Sequence, residues 1–408
     1  MDTIIKTIKC HDGERAHVLV ATSSGIPLYY PNLFITSQVR SASKATGTAK
    51  AALQHLKVLC LWETEFNIDL TSRIKQKQFL AAYELDSLRD FCQKSLANKR
   101  PPKVIRFDRK PEAVGKNTQY DRLTVIAAYL EFLAKTLHGH AIDRELKQDI
   151  AELKAGVISR RPRQESKHLL EDLDRALTDE TYSGLVEVMQ LSHPSNPFAP
   201  EIQLRNWIII EILTALGLRK GELANIRLDD VDLQALTLKV IRRPDDNNDP
   251  RKDQPVVKTA ERTLPISENL ADAIEYYQRE YRSQFRPAKK HGYLLVAHKG
   301  PSQGSPLTIK SIDYLFQQLK IALNDPDISP HSLRHQWNYD YSISVDSMEE
   351  PMSEAEEIAT RSYLMGWSPT SGMAARYNRR HIKEEAHEAV RTHQDKLKNM
   401  RNKERNND

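Results

Sequence analysis

The chain has 408 residues, 39% hydrophobic and 28% charged, with a formal net charge of +5. That length exceeds one ordinary core and calls for about two or three domains, and the composition excludes disordered and fibrous classes. The three scattered cysteines, Cys10, Cys60 and Cys92, supply neither a disulfide framework nor a CxxC metal pair. The opening MDTIIKTIKCHDGE carries Lys6, Lys9 and Asp12 where a signal peptide needs an apolar run, and no stretch approaches bilayer-spanning length. The expectation is a cytoplasmic protein with no membrane partner, whose mild basic excess permits contact with a polyanion without requiring it.

Residues 1–42 mix apolar runs such as His17 to Ala21 with turn formers at Ser23-Ser24-Gly25 and Pro31-Asn32, a pattern of short strands or an extended arm. From Ser43 the pattern turns helical, with Leu53, Leu56, Leu59 and Leu61 recurring between Ala51 and Trp62. Further helices are expected over Lys77 to Leu96 and over Tyr120 to Leu137, where Leu123, Ile126, Tyr129, Leu130 and Leu133 form one stripe. Between them a Lys-, Arg- and Pro-rich segment, 98–117, reads as a basic loop. A second basic patch, Ser159 to His168, reads as the interdomain linker, with the boundary near Arg163 and a helical run from Leu169.

The second half begins with Thr178 or Asp179 as an N-cap. Leu204, Ile208, Ile212, Leu213 and Leu216 then share a buried helical face, and Gly217 stops that helix. Period-two stretches at Leu236 to Ile241 and Val256 to Ile266, separated by a polar loop, predict a small sheet, and helical patterns return from Ile309. A last helical face runs through Ile382, Ala386, Ala389, Val390, His393 and Leu397, ahead of a frayed basic tail at 401–408. The fold class expected is mainly α with a small antiparallel β-sheet.

Three segments of this half stand out together. Arg219 follows directly on a helix stop in GLRKGEL; His331 precedes Arg334 by three residues in PHSLRHQW, on one face of a helical turn; and Trp367 precedes Tyr377 by ten. In order and wording these resemble the signature boxes of the phage integrase, or tyrosine recombinase, family. The resemblance implies a helical, SAM-like core-binding DNA-binding domain at 43–163 and a catalytic domain of the DNA breaking-rejoining type at 164–400. It makes Arg219 and Arg334 the clamp on the scissile phosphate, His331 and Trp367 its further contacts, and Tyr377 the nucleophile. Lys258 best matches the family's general acid, expected in a β-turn of the small sheet, with Lys252 the alternative; Glu222 buttresses Arg219, and His335 assists.

The chemistry fits those residue types. A phosphodiester attacked by an oxygen passes through a state whose extra charge lies on non-bridging oxygens, which planar, bidentate arginines suit. A free tyrosine has a pKa of about 10, so it needs stabilisation of the developing phenolate, and the departing 5′ oxygen needs a proton. The implied function is a nucleoid-associated site-specific recombinase or integrase of a mobile element, cleaving and rejoining DNA through a 3′-phosphotyrosyl bond without metal, cofactor or ATP. Its partners would be double-stranded attachment sites, a homotetramer and accessory DNA-bending or directionality factors. The alternatives are relaxation of the type IB topoisomerase kind, or a non-catalytic DNA-binding regulator on the same scaffold. His331 and His335 at i,i+4 could suggest zinc, but HSLRH lacks the HExxH glutamate and a third ligand. The interval from Arg334 to Trp367 is long for the family, and its acidic stretch, Asp346 to Glu357, reads as a surface insertion.

Overall fold

The computed structural model describes residues 2–40, 46–96, 113–163, 176–350, 352–368, 370–374 and 389–394. The chain divides into two compact units, Met1–Ser166 and Lys167–Asp408.

The first unit opens with an antiparallel hairpin of β1 (Thr3–Lys9) and β2 (Arg15–Ala21), in register from Thr3 opposite Ala21 to Lys9 opposite Arg15. Leu19 on β2 is fully buried and joins a helical core, so this segment is an integral part of the unit rather than an arm. Then come α1 (Tyr29–Phe34), α2 (Thr46–Glu65), α3 (Leu70–Lys75), α4 (Ala82–Phe91), α5 (Lys116–His138) and α6 (Arg144–Ser159). The leucine stripes of α2 and α5 meet in the core: Leu53, Leu56, Leu59, Leu123, Ile126 and Leu130 are all buried. The helix expected over Lys77 to Leu96 is shorter, because Lys77 takes a left-handed φ of +59° just after α3 and the chain re-enters a helix only at Ala82. Most of the basic loop and the expected helical run from Leu169 lie outside the described residues.

In the second unit, α7 (Asp179–Val188) is capped by Thr178, whose hydroxyl accepts the Thr181 N–H. α8 (Pro200–Leu216) is the central helix. Ile208, Ile212 and Leu213 on it are fully buried, and it ends at Gly217 in the left-handed region, φ +58°. A single turn, α9 (Lys220–Leu223), follows, then a three-stranded antiparallel sheet in the order β3 (Val231–Asp232), β4 (Thr237–Val240), β5 (Arg262–Pro265), with Leu238 opposite Leu264. The second unit closes with α10 (Glu268–Tyr276), α11 (Ile309–Ala322), α12 (Pro330–Asp346) and α13 (Glu354–Met365).

Two expectations need correction here. The strand expected over Val256 to Ile266 pairs only over Arg262–Pro265. Its earlier half packs on α9 instead, close enough that a Cβ on Gly221 would fall 2.7 Å from the Val256 carbonyl oxygen. The acidic stretch is not simply a surface insertion: Ser353 and Glu356 form a capping box, and Glu354, Glu356 and Glu357 make the first turn of α13, where acids complement the helix dipole. The molecule is thus mainly helical with small antiparallel sheets, as expected. No helix among the described residues is long and apolar enough to cross a membrane.

Candidate functional site

Arg219 occupies the N-cap of α9, two residues beyond the left-handed Gly217, so its side chain leaves a turn rather than a helix flank. It is about one-third exposed, and its Nη1 lies 3.4 Å from Oε1 of Glu222. Glu222 is the buried hub beneath it. Oε2 accepts the Arg219 backbone N–H at 3.2 Å and Nη2 of Arg262 at 2.8 Å, while Oε1 accepts the Thr259 hydroxyl at 2.7 Å. Burial pushes the Glu222 carboxyl up, but the charges of Arg262 and Arg334 and the bonds from Arg262 and Thr259 outweigh it and hold the group below the usual carboxylate range. Glu222 is therefore anionic at neutral pH and holds the Arg219 turn through the Arg219 N–H.

Arg334 approaches from α12, whose first turn is set by Pro330 at the helix start and by Ser329 accepting the Ser332 N–H. Its buried guanidinium donates Nη1 to the Gly217 carbonyl at 2.6 Å and Nη2 to the Met365 carbonyl at 3.1 Å, and lies 5.5 Å from the Trp367 ring centre. One side chain thereby ties the end of α8, two residues before Arg219, to the end of α13, two residues before Trp367. Trp367 itself is buried, and its backbone N–H closes the α13 terminus on the Ser362 carbonyl at 2.9 Å. His331 is exposed on the first turn of α12, and His335 is buried one turn on; the rings meet edge to face, 4.5 Å between centres. No three His, Cys, Asp or Glu side chains form a metal-holding group among the described residues.

Lys258 and Lys252 are both exposed and both lie in the long β4–β5 connection, not in a tight β-turn. Lys258 directly precedes Thr259, the Glu222 ligand, whereas Lys252 follows Arg251, whose guanidinium is engaged by Asp249 and by the Ala224 and Leu307 carbonyls. The Glu222 bond thus anchors the chain next to Lys258. Tyr377 lies outside the described residues, as do Ile382, Ala386 and Leu397 of the expected C-terminal face; its residues 389–394 are helical and exposed.

Arg262 and Thr259 belong to this constellation and were not singled out by the motifs. The signal for Arg262 was present: it shares the inward side of β5 with Leu264, and a charge on an apolar face must have a partner.

Residues 181–348 match the model of the phage integrase family, a span that includes Arg219, Lys258, His331 and Arg334 and stops short of Trp367 and Tyr377. Among curated proteins, the chain is 32% identical over 133 residues to the tyrosine recombinase XerC of Staphylococcus epidermidis, covering 32% of this chain and 38% of that one. It is 25% identical over 195 residues to the tyrosine recombinase XerD of Halalkalibacterium halodurans, covering 47% and 57%. The chain thus spans about four to six tenths of the length of these relatives. Among solved structures, XerH site-specific recombinase bound to palindromic difH substrate is 12% identical with a TM-score of 0.43, covering 88% of this chain and 93% of that one. The Tn1549 transposon integrase in complex with a circular intermediate DNA is 15% identical with a TM-score of 0.38, covering 65% and 90%. At such scores the fold assignment rests on this chain's own elements.

Proposed function

We propose, from the match of residues 181–348 to the model of the phage integrase family, that the chain is a site-specific DNA recombinase, or integrase, that cleaves and rejoins duplex DNA through a covalent bond to Tyr377. Arg219 and Arg334 hold the scissile phosphate, with His331 and the Trp367 indole completing the contacts and His335 assisting. Tyr377, its phenolic proton passing to His331 or His335, attacks the phosphorus and the phosphate–5′ oxygen bond breaks. Lys258 delivers a proton to that leaving oxygen, and a 3′-phosphotyrosyl linkage remains. Because the bond energy is kept, a 5′ hydroxyl from another strand reverses the step and reseals DNA without ATP. A tetramer holding two duplexes, mobilisation of a genetic element, and accessory directionality factors belong to the same reading.

The observation that carries it is the Arg334 side chain. Coded 115 residues after Arg219, it donates to the Gly217 carbonyl at the base of the Arg219 turn and sits against Trp367. Three motifs distant in sequence thereby meet at one place, as a phosphate clamp requires. The test uses nicked duplexes tiling the DNA that flanks the encoding gene. One of them should trap a covalent protein–DNA adduct, and Tyr377→Phe should abolish that adduct with binding retained. Relaxation of any supercoiled plasmid without site preference would favour a topoisomerase instead, and binding with no adduct on any duplex would favour a regulator.

A further inference from the structure

Arg262 has a wholly buried side chain, yet its guanidinium reaches three segments far apart in the sequence. Nη2 donates to Glu222 at 2.8 Å, Nη1 to the Thr259 hydroxyl at 3.1 Å, and Nε to the Leu364 carbonyl at 2.7 Å. Each contact sits next to a residue assigned to the reaction. Glu222 holds the Arg219 turn, Thr259 follows Lys258, and Leu364 is in the last turn of α13, three residues before Trp367. The space around it has no slack. A Cβ on Gly366, which has a φ of +63°, would fall 2.7 Å from Nη1 of Arg262 and 2.8 Å from the Thr259 Cβ, and the Gly366 carbonyl accepts the Ala260 N–H at 3.0 Å. A buried charge of this kind is not needed for stability, since well-packed apolar residues commonly replace buried ion pairs without loss. What an apolar residue cannot supply is a planar fork that fixes three directions at once.

We propose that Arg262 is a positioning residue of the strand-transfer reaction, which touches no DNA and sets the Arg219 turn, the Lys258 segment and the Trp367 end of α13 in register with one another. The inference rests on the function proposed above and assigns the alignment of its site to a side chain outside the three motifs. Misplacing reacting groups by about 1 Å lowers rates roughly 100-fold, so a loosened register should appear in the chemical step and not in DNA affinity. A second mark follows from charge. Glu222 is faced by Arg219 from its own turn, by Arg262 from β5 and by Arg334 from α12; Arg262 is the largest of the influences lowering its pKa.

Arg262→Lys keeps the charge and loses the fork. On the duplex that traps the wild-type adduct, its adduct-forming rate should fall roughly 100-fold while affinity for that duplex stays unchanged. Arg262→Gln should in addition move the acid limb of the rate–pH profile to higher pH, because Glu222 then protonates more readily. Arg262→Gln combined with Glu222→Gln should lose that displacement, and it serves as the second variant if the lysine form does not fold. Hydrogen exchange at the Ala260 amide supplies a readout independent of catalysis: protection should drop in Arg262→Lys with the melting temperature little changed. Wild-type rate and wild-type Ala260 protection in Arg262→Lys would overturn the proposal, as would a rate loss that merely parallels lost affinity. If the wild-type protein forms no adduct on any duplex, the recombinase reading falls and the Ala260 exchange alone decides the role of Arg262.

Discussion

The two units bury charge differently. In the first, the Arg73–Glu84 pair keeps its arginine 28% exposed, the buried Arg15 and Arg122 donate to backbone carbonyls, and leucine and aromatic stripes make up most of the core. In the second, the pairs Arg262–Glu222, Arg361–Glu357 and Arg251–Asp249 are all essentially sealed from water, none of their side chains more than 4% exposed. Desolvating such pairs roughly cancels their attraction. They add little net stability, so what they contribute is definite geometry. The first unit is built to be a shape; the second is built to hold particular atoms in particular places, and its proposed chemistry needs that.

The contrast breaks most visibly at Arg361, which binds the Asn338 carbonyl and Ser342 hydroxyl of α12 and Glu357 of its own helix. Arg361→Met strands a buried carboxylate and should destabilise the second unit by about 3–5 kcal/mol, whereas Arg361→Met with Glu357→Leu should recover most of that loss. Urea unfolding of the three proteins checks it; equal losses in the single and double variants would mean that the pair contributes real stability.

Much of this was legible in the sequence, for specific reasons. Gly217 was readable as a helix stop and the α2 and α5 stripes through helical recurrence over long segments, whereas Arg219, His331 and Arg334 stood out through the resemblance of their boxes to the phage integrase signature. The β4–β5 connection misled because alternation continues through Val257 and Thr259, which are buried, Thr259 on Glu222 of α9, rather than paired in the sheet. The acidic stretch misled because composition outweighed a legible capping box, Ser353 with Glu356, and an i,i+4 pair, Glu357 with Arg361. The contacts of Arg262 join segments about forty and one hundred residues away, and no local pattern carries such a distance.

The next effect sharpens the comparison through pH. Burial raises Glu63 on α2 from its ordinary value near 4.5 to about 7, even though it accepts the Leu70 N–H at 3.1 Å. The folded first unit holds a proton that the unfolded chain releases, so its stability should fall as pH rises from about 4.5 towards 7 and then level off. Glu222 works in the opposite sense. Its lowered pKa adds stability to the second unit at neutral pH, and that contribution is lost as pH falls below about 4.5 and through the folded value. Amide exchange followed separately in each unit should show the opposed trends, with Glu63→Gln flattening only the first. The smallest effect expected is Asp143→Ala, which removes the cap of α6 on the Leu146 N–H, a bond of 2.7 Å; thermal melting should report a loss of about 1 kcal/mol.

α13 is fastened along its C-terminal half by side chains: Arg361 joins it to α12, while Arg262 and Arg334 take the carbonyls of its last turn. The segment entering it, Ser347 to Glu350, is exposed. Covalent continuity there is consequently redundant. A protease nick in that stretch, or expression of the protein as two polypeptides divided at it, should leave a complex that stays assembled, and split-protein design would have a natural seam.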